Sequence, residues 1–459
     1  AITMPLKTQS KRNSPSLPMR LIAISFALVI LAGTLLLMLP ISSNDGLPTN
    51  FLDCLFTATS ATCVTGLIVF DTYLKWSVFG KVVIMLLIQI GGLGLITLVT
   101  FFNVAIGRKL GLRNMQLAQE SLNSTSFFDV THLVKAVVLF SLVMEFCGAV
   151  LLCTTFVPKY GAEGIFMSVF MSISAFCNAG FDLLGMEGEY ISLCNYNGNP
   201  VVIFTISFLI IIGGLGFAVW QDIYTYRKKK ILLLHTKIVL IMTATLILSG
   251  MILFLILEWN NPNTLGGLPI ADRFPAAFFQ SVTLRTAGFN SVDVNSLHGM
   301  TKLGSIVLMF IGAAPGSTAG GVKVTTFAVI VMTVVSVIRG KEDTIVLKRR
   351  VEKGVVYKAL AVVSIALLVV CISSVTIYFT NPDHAEVTGI NALFESVSAF
   401  GTVGISAGVT GVANIPSKIA LILTMFIGRV GPVSLALALA MRGKPSKDIV
   451  VPDGKILVG

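Results

Sequence analysis

The sequence predicts an all-α polytopic membrane protein in which a helix, loop and helix unit is repeated four times, giving eight transmembrane helices. Three observations lead there. Of its 459 residues, 55% are apolar and only 12% charged, where a soluble domain carries roughly 25% charged residues. Eight stretches are long and apolar enough to cross a bilayer, which takes about 20 residues each. A shorter semi-polar motif recurs between the two spans of every pair.

The spans run over 21–41, 78–102, 133–157, 201–220, 233–257, 303–338, 355–379 and 419–441. The first follows a basic stretch, as a signal peptide would, but ends in Leu39-Pro40 without a small-residue cleavage pattern, so it reads as a retained span. Charge orients the set. The amino-terminal arm (Lys7, Lys11, Arg12, Arg20), alternate loops including Arg108, Lys109, Arg113, Arg227 to Lys230 and Arg339 to Lys358, and the tail from Arg442 hold 24 of the 33 basic residues. All lie on one side, so the positive-inside rule puts both termini in the cytoplasm. Most acids fall opposite, among them Asp71, Asp182, Glu189 and Asp293. Topology therefore explains the net charge of +11, which is no evidence for nucleic acid; lipid headgroups account for the basic runs.

The repeat has two registers. A Phe precedes a Gly by ten positions at Phe56/Gly66, Phe170/Gly180, Phe278/Gly288 and Phe394/Gly404, with Ala61, Ala175, Thr283 or Ala399 five before the Gly. The glycines are 114, 108 and 116 residues apart. An Ile-Gly pair then recurs in each following span, at Gly91, Gly213, Gly312 and Gly428. The expected organisation is an arm over 1–20, repeats over 21–125, 126–232, 233–350 and 351–442, and a cytoplasmic tail over 443–459. Every unit begins and ends on the same side, so the four can stand in pseudo-fourfold arrangement around one pore.

Non-helical backbone at membrane depth survives only where protein buries it or where it lines a wet path. A short helix aimed at the axis presents its negative carbonyl end, which favours a cation. Behind it, Cys63-Val64-Thr65-Gly66, Cys177-Asn178-Ala179-Gly180, Arg285-Thr286-Ala287-Gly288 and Gly401-Thr402-Val403-Gly404 offer carbonyl rings that replace the hydration shell of a monovalent cation, as in potassium channels. Gly suits the turn because it reaches φ > 0 and no Cβ obstructs the path. Only Thr402-Val403-Gly404 approaches a Thr-Val-Gly-Tyr-Gly filter, and it lacks the second half. Fewer oxygen layers imply weaker discrimination between potassium and sodium. Arg285 in such a loop needs neutralising, and Glu395 is the candidate partner for an ion pair behind the filter.

The sixth span, 303–338, is too long for one crossing. Gly312-Ala313-Ala314-Pro315-Gly316-Ser317-Thr318-Ala319-Gly320-Gly321-Val322-Lys323 packs four Gly and one Pro into twelve positions. Gly costs about 1 kcal/mol and Pro about 3 kcal/mol in a helix, so the helix breaks there. Its start aligns with Gly91, Gly213 and Gly428, which predicts a loop lying across the path just inside the filter. Arg429, one residue past that level, is expected to hydrogen-bond the loop carbonyls and to complete a closed gate with a positive barrier.

With these residues in view, the chain resembles the Trk/Ktr/HKT superfamily of cation transporters, and within it the KtrB-like membrane subunits of bacterial Ktr potassium uptake systems. Thr65-Gly66-Leu67, Asn178 to Phe181, Arg285 to Ser291, Phe400 to Gly404 and Phe426 to Arg429 carry the resemblance, which spans roughly residues 20 to 442. It implies potassium as the transported ion, with sodium as a modulator, and no cofactor in this chain. In that superfamily a Ser in the first filter position accompanies sodium preference; Gly66 stands there and implies potassium. The resemblance also implies a homodimer in a bacterial cell membrane, seated on a cytoplasmic KtrA-type ring that binds adenine nucleotides. The family's intramembrane loop matches 312–323.

Other chemistries find little support. The seven Cys include no C-x-x-C pair, and the four His are isolated. Gly316 to Lys323 misses the phosphate-binding G-x-x-x-x-G-K-[ST] pattern, because Val322 intrudes and no soluble strand precedes it. An embedded enzyme needs converging nucleophiles, bases or metal ligands in the spans, and none is visible. An ion-coupled symporter usually carries midplane ionisable relays; they are scarce, and Glu145, the conspicuous one, reads by default as a packing residue.

Overall fold

A computed structural model describes residues 16–106, 130–341, 343–346 and 349–432. The predicted basic residues Lys7, Lys11, Arg12, Arg108, Lys109, Arg113 and Lys348, and the tail from Arg442, lie outside them. Within them a long helix is followed by a short one four times, and each short helix by a further helix of 12–16 residues. The leading long helices are Ser16–Leu37, Val130–Tyr160, Leu234–Leu257 and Lys353–Thr380. All four are long and apolar enough to cross a membrane. They leave Leu28, Phe146, Leu248 and Leu368 exposed, a surface that lipid would cover and water would not.

The short helices are Phe51–Thr62, Ala162–Phe176, Ile270–Thr283 and Gly389–Gly401. Side chains cap two of them at the start: Asn50 accepts from Leu52 N–H and Thr388 from Asn391 N–H. Of the recurring Phe, Phe56, Phe170 and Phe394 are fully buried, and Phe278 packs partly buried against the same core. Ala61, Ala175, Thr283 and Ala399 are all completely buried. The first register is therefore a packing register, holding each short helix inside the protein.

The second register has a physical cause of its own. A Cβ built on Gly91, Gly213 or Gly428 would lie 2.0 Å from the carbonyl oxygen of Thr62, Phe176 or Phe400 respectively. Those carbonyls end the short helices, so the glycine lets each long helix press against the tip of its own short one. In the third quarter Gly312 instead faces Gly320 O, 2.4 Å from the same imagined Cβ, because the chain there has left the helix.

Two expected spans are not straight. Val78–Leu93 is followed by Leu95–Ala105, and Pro200–Gly214 by Phe217–Lys229. The pairs bend by 89° and 92°. Gly94 (φ +81°) and Gly216 (φ +86°) occupy the bends, a conformation that interrupts the helical ladder and that side chains resist. Gly431 repeats it (φ +94°) at the end of Ile415–Val430. Among the described residues four helices thus qualify as spans, or six if each bent pair counts as one. The sixth expected span is interrupted between Gly299–Phe310 and Val324–Ile338, where its Gly and Pro residues put the break. One departure from an all-helical fold is a two-residue-long antiparallel pair, Ile345–Val346 with Arg349–Arg350.

These contacts predict opposite outcomes for two glycines. Gly213→Ala forces a methyl into a backbone carbonyl that cannot swing away and should cost about 1–3 kcal/mol. Gly354→Ala, with nothing within 4 Å of its imagined Cβ, should be neutral or stabilise by up to about 1 kcal/mol. Thermal unfolding of the detergent-solubilised proteins checks this; equal melting temperatures would refute the contact.

Candidate functional site

Each short helix runs into a loop with one backbone signature. Gly66, Gly180, Gly288 and Gly404 have φ of +95°, +71°, +90° and +87°. Two residues earlier, Val64, Asn178, Thr286 and Thr402 also have positive φ, between +51° and +67°. For the β-branched Val64, Thr286 and Thr402 this is a disfavoured region, costing roughly 1–3 kcal/mol each. Sequence reasoning placed these four residues in the loops but anticipated positive φ only for the glycines, since Val and Thr give no local hint of a left-handed backbone.

Hydrogen bonds hold the turn. Thr65, Ala179 and Val403 N–H donate to the carbonyls of Ser60, Ser174 and Ser398 at 2.7–2.8 Å. Gly66 and Gly404 N–H each donate to the hydroxyl of that same Ser, Ser60 or Ser398, at 3.1 Å. In the third loop the pattern shifts by one residue: Ala287 N–H donates to Thr283 O at 3.0 Å. Cys63, Val64, Thr65, Cys177, Ala179, Ala287 and Val403 are fully buried, as are Asn178, Thr286 and Thr402. Gly401 is the last residue of its short helix rather than loop.

The four loops meet in a closed ring. A Cβ on Gly66 would lie 2.5 Å from Ala179 O, one on Gly180 2.6 Å from Ala287 O, one on Gly288 2.7 Å from Val403 O, and one on Gly404 1.9 Å from Thr65 O. Each loop thus touches the next in chain order and the last returns to the first. All four glycines also line one cavity of about 600 Å³, shared with Asp71, Asp182, Glu189 and Asp293. Burial pushes the Asp182 carboxyl up to about 6, and the nearby charge of Asp71 adds to the shift. Carboxylates around a concave mouth concentrate cations there.

The expected Arg285–Glu395 pair is not made. Glu395 spends its oxygens on the loop that follows its own short helix: they accept from Ser406 Oγ at 2.7 Å, Ala407 N–H and Thr410 N–H at 3.1 Å, and Thr410 Oγ1. Arg285 is 6% exposed, and its Nε and Nη2 meet no acceptor among the described residues. It lies with Ile210, Ile247, Val282 and Ala313 behind the third loop.

The chain between Phe310 and Val324 contributes nothing to the lining of that cavity and packs instead against the ends of the second and fourth short helices. It closes on itself through Gly312 N–H to Val322 O at 2.8 Å and Val324 N–H to Ala313 O at 3.1 Å. It is tied to its surroundings by Ala314 N–H to Gly214 O (3.1 Å), Gly321 N–H to Gly428 O (3.3 Å) and Gly320 N–H to Thr402 Oγ1 (3.1 Å). Thr318 Oγ1 donates to Phe176 O, the tip of the second short helix, at 3.2 Å. Lys323 Nζ donates to Ala319 O at 2.6 Å and Gly320 O at 3.4 Å. Arg429 donates to Thr318 O, to Gly91 O, and to Gly92 O at 3.2 Å. Only one of those three carbonyls belongs to the loop; the other two end the helix Val78–Leu93, so Arg429 bridges both. Among the described residues no group of three or more His, Cys, Asp or Glu is arranged to hold a metal ion.

Comparison with known proteins places this geometry. The sequence profile of the TrkH family, described as a cation transport protein, matches residues 7–449. The Ktr system potassium uptake protein B of Bacillus subtilis (strain 168) is 42% identical over 443 residues, 96% of this chain and 97% of that protein. The potassium/sodium uptake protein NtpJ of Enterococcus hirae is 38% identical over 463 residues, covering the whole of both chains. Among solved structures, the potassium transporter TrkH from Vibrio parahaemolyticus shares the fold, with a TM-score of 0.70, 18% identity, and coverage of 94% of this chain and 86% of that one.

The Glu395 cluster yields a stability prediction. Glu395→Leu leaves two backbone N–H groups and two hydroxyls without their acceptor, and each orphaned donor costs about 1–3 kcal/mol. The melting temperature should fall by several degrees, with Glu395→Gln falling less. A Leu variant that melts with the parent would show that the carboxylate does not hold the 406–410 loop.

Proposed function

The chain belongs to the TrkH family of cation transport proteins, and on that premise we propose that it takes up potassium across a bacterial cell membrane through a single central pore. The observation that carries the proposal is the ring: four loops, alike in backbone, meet with glycine against carbonyl and stand at the floor of one acid-lined cavity. In this reading the four repeats over 21–125, 126–232, 233–350 and 351–442 surround the pore in pseudo-fourfold arrangement. The chain crosses eight times, with both termini in the cytoplasm, and two of the crossings are bent. The carbonyls of residues 63–66, 177–180, 285–288 and 401–404 replace part of the hydration shell of potassium, a task that needs no cofactor. The name of its relative from Bacillus subtilis, a potassium uptake protein, supports potassium as the cargo.

The segment 312–323, with Arg429, is the proposed gate. It lies on the inner side of the ring, held by carbonyl and amide contacts to three of the four quarters. A fixed unit charge 4–8 Å from a passing cation raises its energy by about 2–4 kcal/mol at an effective dielectric near 20, so the guanidinium both latches the loop and repels the ion. Control in trans fits the relative's place in a Ktr system: a homodimer on a cytoplasmic KtrA-type ring that binds adenine nucleotides, docked near 227–230 and 341–350. A second reading is a sodium-permeable transporter, which the likeness to a potassium/sodium uptake protein favours; potassium and sodium competition for rubidium flux separates the two.

Two experiments test this. Expression in a potassium-uptake-deficient bacterium should restore growth at low potassium, and Gly288→Asp should abolish the rescue; equal rescue by both forms would sink the filter assignment. Arg429→Ala, or a shortened 314–321, should raise rubidium flux into proteoliposomes about tenfold while leaving the potassium-to-sodium ratio within about twofold. Variants that assemble and conduct no faster than the parent would remove the gate from these residues.

A further inference from the structure

Glu145 has no place in the pathway described so far, and its surroundings are specific. It lies in the middle of Val130–Tyr160 and is 5% exposed. Both of its carboxylate oxygens accept from Gln89 Nε2, at 3.0 and 3.1 Å. Cys177, which caps the second short helix and opens the second loop, directs its S–H to Gln89 Oε1 at 3.8 Å and Glu145 Oε1 at 3.9 Å. Ser172 of that short helix donates to the Glu145 carbonyl at 2.6 Å. The helices meet this closely because Gly148 carries no Cβ; one built there would lie 2.5 Å from Ser172 Oγ.

Gln89 sits two and three residues before Gly91 and Gly92, whose carbonyls receive Arg429. A Cβ on Gly92 would lie 2.6 Å from Cys177 Sγ, so the end of Val78–Leu93 is wedged between the second loop and the Arg429 side chain. A buried carboxylate at membrane depth is costly unless it is held by donors, and this one is held by a side chain of the very helix whose tip the guanidinium grips. From this geometry we infer that Glu145 is a positioning residue for the gate: through Gln89 it fixes the carbonyls of Gly91 and Gly92 where Arg429 latches. It touches neither ion nor gate itself. The inference rests on the gate reading of Arg429. It adds that the strength of the latch is set from the third long helix, behind the second loop.

The test is a flux comparison in proteoliposomes of the full chain, using rubidium uptake and the potassium-to-sodium ratio, in the parent and in an Arg429→Ala background. Glu145→Leu and Gln89→Leu each remove the tie and should raise flux several-fold without changing the ratio. Glu145→Gln keeps an acceptor for Gln89 and should stay within about twofold of the parent. In Arg429→Ala neither Leu variant should add anything, because the latch it loosens is gone; a purely structural lesion would act equally in both backgrounds. Additive effects, an altered ion ratio at unchanged flux, or Glu145→Gln behaving like Glu145→Leu would each overturn the inference. So would failure of both Leu variants to assemble, which would make the pair a folding element. If Arg429→Ala alone leaves flux unchanged, the gate reading fails; if it raises flux while both Leu variants conduct like the parent, only the role of Glu145 fails.

Discussion

The structure depends on one contact made three times: the terminal carbonyl of a short helix pressed against a glycine of the long helix that follows, at Thr62/Gly91, Phe176/Gly213 and Phe400/Gly428. A helix that stops at membrane depth leaves carbonyls without intrahelical partners, and lipid cannot satisfy them. Packing the tip into protein with no Cβ in the way lets the chain stop there and turn. The loops that follow hang from that arrest. The glycine bends at Gly94 and Gly216 follow three residues after the first two of these contacts, so the helix beyond each turns aside instead of continuing along the same line.

The arrested helices hold a strained ring. Positive φ at Val64, Thr286 and Thr402 opposes local preference, and it persists because neighbours over-determine it. Buried side chains anchor each loop from outside, and hydrogen bonds from Thr65, Gly66, Val403 and Gly404 return to Ser60 and Ser398. Contact with the next loop closes the circle. A ring whose members constrain one another keeps its carbonyls in place, which suits the proposed role of substituting for water around an ion.

Charge is distributed unevenly across this ring. Carboxylates of Asp71, Asp182, Glu189 and Asp293 share the cavity on one face. Outside that cavity the amine of Lys323 and the guanidinium of Arg429 are bound to backbone carbonyls. In the proposed reading a cation is drawn towards the carboxylates and opposed by the guanidinium of Arg429. Lys323 donates to the carbonyls of Ala319 and Gly320 and Arg429 to those of Thr318, Gly91 and Gly92, so both groups help to hold the segment 312–323 in place.

The membrane class, the long and short helix order and the break in the sixth span were legible because each depends on local composition: apolar length, a recurring Phe and Gly, or Gly and Pro crowded into twelve positions. The glycines of the loops were legible by repetition. Bends at Gly94 and Gly216 left a trace in the sequence, a Gly-Gly-Leu-Gly run at both 91–94 and 213–216, but hydropathy cannot distinguish a bent apolar helix from a straight one. Only tertiary structure decided that Glu395 serves Ser406 and Thr410 rather than Arg285, that Arg429 reaches Gly91 across 338 positions of chain, and that Glu145 meets Gln89 across 56. The reason is physical. Periodicity reports how a residue relates to its own helix, whereas a polar group buried at membrane depth takes its partner from whichever backbone the packing brings within about 3 Å, and sequence distance carries no information about that.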